Sequence, residues 1–253
     1  MSTLLAAAKP SRSSFVVLTI AAVTAGCWAY LVIVHAATGT MGSSLAMPMA
    51  VAWTAADAAL MWVMWAVMMA AMMLPSATPM VTAYSRTLRS PRTSVRGSTV
   101  AFAGGYVALW SSVAVVATGL QWLLHRAALV DAMGASTSRW LAASVLVAAG
   151  GYQFTALKHT MLNRCRSPLG FLLNEWRDGR VGGFVMGLHH GVLCLGCCWA
   201  LMGLLFVLGV MNLWWIALLA TTVLVEKVTR SDLAPRALGA VMIVGGLVVA
   251  VGI

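Results

Sequence analysis

The sequence predicts an all-α fold: a polytopic membrane bundle of about seven transmembrane helices, with one short interfacial amphipathic helix. Three observations lead there. Apolar residues make up 61% of the chain against 9% charged, and the mean hydropathy is +0.92; such a chain has too few polar groups to cover a soluble surface. Apolar runs long enough to cross about 30 Å of hydrocarbon recur along it. The 16 Lys and Arg fall between those runs. The net charge of +10 is therefore a topology signal, and no nucleic-acid partner is expected. The 253 residues read as one integral membrane domain, residues 1–253. Five cysteines, four of them inside apolar runs, do not suit a secreted disulfide framework.

The first helix is expected over residues 15–34, behind Lys9 and Arg12. Its apolar run continues past Cys27, which favours a retained helix over a cleaved signal. A loop at 38–48 follows. The second helix, 57–80, carries Met61, Met64, Met68 and Met72 at spacings of three, four and four, so these share one face. Pro75 and Pro79 are expected to break or kink it near its end. Arg86, Arg89, Arg92 and Arg96 mark the next loop. The third helix spans 99–124 and the fourth 139–157, the latter with Ser136, Thr137 and Ser138 as candidate caps. Residues 158–180 form the longest polar connection. Within it, Ser167-Pro168 opens a short helix whose Leu169, Leu172, Leu173 and Trp176 suit a membrane interface. The fifth helix covers 182–208, a tight turn at 209–212 leads into the sixth at 213–225, and the seventh covers 237–253. With the N-terminus inside and the C-terminus outside, fourteen of the sixteen Lys and Arg lie in cytoplasmic segments, leaving only Arg126 and Arg139 outside.

The fifth helix carries the chemistry. Residues 182–225 contain no charged side chain, yet they hold His189, His190, Cys194, Cys197 and Cys198. At about 100° per residue, Met186, His190, Cys194 and Cys197 stack into one stripe; Cys198 sits at its edge and His189 about a quarter-turn away. Thioether, imidazole and thiolate are ligands for Cu(I), with Zn(II) the alternative. Buried cysteines and methionines often only pack. An intramembrane histidine beside three cysteines is harder to explain as packing, since an imidazole in lipid needs a partner. Met68 lies on the order of 16 Å and Cys194 on the order of 18 Å from the ends where their helices enter, so both sit near mid-depth of the bilayer. Asp57 and the Glu226-Lys227 pair are second-rank candidates for entry or exit ligands, though such charges more often mark helix ends; Lys158-His159 and Cys165 read as rim residues, and Gln153 as a side chain bonding across to another helix.

The block His190-Gly191-x-x-Cys194-x-Gly196-Cys197-Cys198-Trp199-Ala200-Leu201-Met202 resembles a bacterial family of predicted metal-binding integral membrane proteins, long described as a domain of unknown function. The similarity extends to Met72-Met73-Leu74-Pro75-Ser76, Tyr152-Gln153, Leu157-Lys158, Cys165-Arg166-Ser167-Pro168-Leu169, Trp176-Arg177-x-Gly179, Gly209-Val210-Met211-Asn212-Leu213 and Glu226-Lys227. Val192-Leu193 departs from it where an aromatic is expected before the first cysteine. Some members of that family are linked to copper supply to a tyrosinase-like polyphenol oxidase. The resemblance implies a bacterial inner-membrane copper protein with a cuproenzyme acceptor. The expected function is Cu(I) capture and delivery or transport, without catalysis. Cys194, Cys197 and His190 would form the tighter site, with Cys198, His189 and Met186 as further candidates. Met61, Met64, Met68 and Met72 would form a weakly holding track. A membrane thiol-disulfide oxidoreductase and a non-catalytic subunit or assembly factor are the rival readings.

Overall fold

The computed structural model describes residues 12–40, 53–88, 94–131, 135–229 and 231–252. Beyond Thr40 the loop expected at 38–48 lies outside the described residues, as do Lys9, Arg89, Arg92 and Arg230. The chain is helical in the order α1 (Arg12–Thr40), α2 (Ala55–Thr87), α3 (Val95–Arg126), α4 (Arg139–Tyr152), α5 (Ala156–Cys165), α6 (Pro168–Glu175), α7 (Gly179–Gly203), α8 (Leu205–Leu208), α9 (Leu213–Val228) and α10 (Leu233–Val251). The all-α bundle is as expected. Among the described residues, five helices, namely α1, α2, α3, α10 and α7 with its α8 extension, are long and apolar enough to cross a membrane. The pair α4 and α5 makes a sixth if counted as one span bent by 65°. Two helices remain: α6, with 8 residues, and α9, with 16 residues or about 24 Å of helix; both are shorter than the other spans, so five or six long apolar spans stand where about seven were expected.

Local chemistry explains most boundaries. Thr54 and Asp57 form a reciprocal capping box at the start of α2, which gives Asp57 a structural role. Pro75 and Pro79 do not break α2; the helix runs through both to Thr87. Single side chains cap α3 (Ser94), α4 (Ser138), α5 (Thr155) and α6 (Ser167), and Asn212 accepts from two amides at the start of α9. The turn before α9 depends on Gly209, whose φ of 93° disfavours any side chain.

Two expectations about the middle of the chain need correcting. The fourth helix ends at Tyr152 rather than Leu157, and much of the polar connection after it is α5. The Thr155 hydroxyl caps the new helix by accepting from the Lys158 amide, and this local capping restarts the chain on a different axis. In α6 the leucines do not share a face. Leu172 and Phe171 turn into the bundle while Leu169 and Leu173, four apart, face outward at 69% and 84% exposure.

The packing places α7 at the centre. It lies against α3 and α5, while α2 lies against α1, α3 and α9, and α4 against α10. Of the apolar stretch of each helix, 61% is buried in α7 and 50% in α2, but only 17% in α1 and 22% in α10. The α3–α7 contact is a small-residue seam. A Cβ on Gly187 would strike the Phe102 carbonyl, and one on Gly105 would strike that of Phe184. These two glycines let the backbones meet and set Tyr106 against the cysteine stripe.

Candidate metal centre

Helix α7 buries its stripe as the spacing requires: Met186, His190, Cys194, Cys197 and Cys198 are all buried, whereas His189 is partly exposed. The Cys197 and Cys198 thiols both donate to the Cys194 carbonyl oxygen, at 3.1 and 3.0 Å. The thiols of Cys194, Cys198 and Cys165 lie beside that of Cys197. Four of the five cysteines therefore form one cluster. Cys165, which the sequence places at the rim, belongs to it because the α4–α5 bend lays α5 along α7.

Other helices complete the surroundings. From α2, the Met73 thioether lies 3.9 Å from Cys198 Sγ. Two sulfurs bound at about 2.3 Å to one ion in a trigonal arrangement stand about 4 Å apart, so this pair needs little movement to share a soft ion. From α3, the Tyr106 hydroxyl lies 3.1 Å from Cys194 Sγ and 3.2 Å from the Met73 carbonyl oxygen. From α9, Lys227 Nζ donates to Cys194 Sγ at 2.8 Å and to Ser76 Oγ at 2.9 Å. From α5, Lys158 Nζ donates to the Cys197 carbonyl oxygen at 2.5 Å and pairs with Glu226 Oε2 at 2.6 Å, with side chains 0% and 3% exposed. Arg166 closes the inner edge, donating to the Glu226 carbonyl oxygen and pairing with Asp232.

The remaining expected ligands are placed differently. The His190 imidazole stacks on the Tyr106 ring, centroids 5.6 Å apart, and meets Phe102 and Phe171; its Nδ1 is buried with no hydrogen-bond partner among the described residues. Tyr106 thus touches both His190 and Cys194, with its ring on one and its hydroxyl on the other. His189 packs on Phe171 and pairs with Glu175 at 3.2 Å, beside a cavity of about 440 Å³ lined in part by Thr160, Asn163 and Asn174. The Met186 thioether accepts the Arg177 amide at 3.3 Å. Met61, Met64, Met68 and Met72 are all buried in α2. Met73, one residue past the stripe, brings an α2 thioether within hydrogen-bonding reach of a thiol. Gln153 is fully buried at the α4–α5 bend, and neither of its amide atoms bonds to a described residue.

Among the described residues, no three His, Cys, Asp or Glu side chains converge on one metal position. The Cys197 and Cys198 thiols instead donate to the Cys194 backbone carbonyl, as protonated sulfurs do. A soft ion would be held by freeing two of these thiols and adding the neutral Met73 sulfur, and the donor set fits such an ion. Sequence reasoning missed Met73, Tyr106, Cys165, Lys158 and Lys227. Four of them lie inside the motif blocks quoted above or at their edges, which was the available signal. Tyr106 had none.

The chain matches no curated protein and no solved structure. A family model described as PpoB2, copper chaperone, matches residues 62–249, a span that takes in α7, Met73, Tyr106, Lys158 and Lys227. With so much of the chain covered, and a buried thiol and thioether cluster at its centre, this protein belongs to the PpoB2 copper chaperone family.

Proposed function

We propose that the protein captures Cu(I) on Cys194, Cys198 and Met73 within a bacterial inner membrane and passes it to a cuproenzyme, without itself catalysing a reaction. The observation that carries this reading is the 3.9 Å approach of Cys198 Sγ and Met73 Sδ beside the other thiols. Loading exchanges protons for metal: two thiols and one Cu(I) give a bis-thiolate complex and two protons. Cys197 and Cys165 stand next to the pair and offer the sulfurs to which the ion moves by ligand exchange. A soft, two- or three-coordinate ion suits this hand-over, whereas Zn(II) wants four ligands in a tetrahedron. Met61, Met64 and Met68 precede Met73 along α2 and form a weak thioether track toward the cluster. The N-terminus is placed in the cytoplasm and the C-terminus outside, following the distribution of Lys and Arg.

Geometry disfavours the thiol-disulfide alternative. Cys194 and Cys197 lie one turn apart on an unbroken helix, where disulfide geometry is strained. The decisive measurement is the metal content of purified protein, wild type against a Cys194→Ser, Cys197→Ser, Cys198→Ser triple variant. Copper is expected in the first and absent from the second. Equal copper in both would reject the site, and a titratable disulfide without bound metal would favour the oxidoreductase.

A further inference from the structure

We infer that Lys227 makes this site select a monovalent ion over a divalent one. The inference rests on the Cu(I) reading above and adds a physical basis for discrimination.

Lys227 is buried in the last turn of α9, and its Nζ is held by Cys194 Sγ at 2.8 Å and Ser76 Oγ at 2.9 Å. Among the described residues no carboxylate pairs with it. The adjacent Glu226 is already taken, its Oε2 bound by Lys158 at 2.6 Å. Lys158 and Glu226 cancel each other, which leaves Lys227 as the uncompensated positive charge beside the thiols. A charge in an apolar interior is strongly unfavourable unless an opposite charge sits next to it. Copper loading supplies that charge, by converting the Cys194 and Cys198 thiols beside Lys227 into thiolates.

Charge then decides which ion fits. Two thiolates contribute −2, Lys227 contributes +1, and Met73 contributes none. An ion of charge +1 brings the assembly to neutrality; an ion of charge +2 leaves it at +1 in a medium that screens poorly. Without the lysine the preference reverses, because two thiolates and a divalent ion are neutral. Sulfur ligands alone do not separate Cu(I) from Zn(II) so cleanly, since thiolates bind both. The ammonium supplies the discrimination that the sulfurs lack.

The test uses full-length protein in detergent, offered Ag(I) and Cd(II) together as redox-inert soft ions, with the bound ratio read by elemental analysis. Wild type should retain Ag(I) preferentially. Lys227→Met should move the ratio toward Cd(II) by at least about tenfold, and Lys227→Arg, which keeps the charge, should hold the wild-type ratio. If Lys227→Met does not fold, Lys227→Gln keeps a polar group without the charge and carries the same expectation. A ratio unchanged in the neutral variant would overturn the role of Lys227 while leaving the copper site standing. Wild type that binds neither ion would overturn both.

Discussion

The methionine face of α2 and the cysteine face of α7 are equally dry, yet they are surrounded very differently. Met61, Met64, Met68 and Met72 are at most 1% exposed, as are Cys194, Cys197 and Cys198. The methionines belong to the apolar core together with Trp65, whose ring lies tilted against Phe206. Around the cysteines stand two lysines, a glutamate and a tyrosine hydroxyl. Burying thioethers is cheap and needs no function to account for it. Burying charge is costly, so the charged shell is what makes the cysteine face the candidate site. Burial by itself does not locate a site; what is buried beside the sulfur does.

That contrast can be broken most forcefully at the Lys158–Glu226 pair. Glu226→Gln leaves a buried ammonium without its counter-charge and should cost about 3–5 kcal/mol, seen as a large fall in melting temperature in detergent. The double variant Lys158→Met, Glu226→Leu should recover most of the loss. A single variant as stable as wild type would mean that the pair contributes little.

A smaller effect is expected where α3 meets α7. Gly187→Ala drives a methyl into the Phe102 carbonyl and should destabilise by about 1–3 kcal/mol. Because the same seam seats Tyr106 on Cys194, the variant should also retain less copper per folded molecule. Normal copper content in the folded fraction would separate the seam from the site.

The comparison is sharpened by methionine substitutions, which conserve volume and should cost less than about 1.5 kcal/mol in stability. Met73→Leu removes the thioether nearest a thiol and should weaken Cu(I) retention against a competing chelator by roughly tenfold, near 1.4 kcal/mol. Met64→Leu should have the smallest effect. It should leave equilibrium copper content unchanged and slow only the rate of loading. If the two variants behaved alike, α2 would act as one undifferentiated surface and Met73 would hold no special place.

Much of this was legible in the residues. The 3.6-residue period placed Cys194, Cys197 and His190 on one buried face, and the motif similarity pointed to the family. The period could not show that Met73 rather than Met72 meets Cys198, because one step along α2 is 100° of rotation and only the crossing with α7 selects between them. Lys158 and Lys227 were read as interface markers because a lysine near a helix end normally extends to water. Here α5 folds back along α7 and α9 packs on α2, so both ammonium groups point inward.

Composition and periodicity alone determined the helical class, the apolar spans and the cysteine-bearing face, since each depends on residues within a few turns of one another. Tertiary structure decided which groups share the cluster. The Lys227–Cys194 contact joins residues 33 apart, Lys158–Glu226 joins residues 68 apart and Met73–Cys198 joins residues 125 apart. Such pairings follow from how helices cross and where α4 bends into α5, and no local pattern encodes a crossing angle.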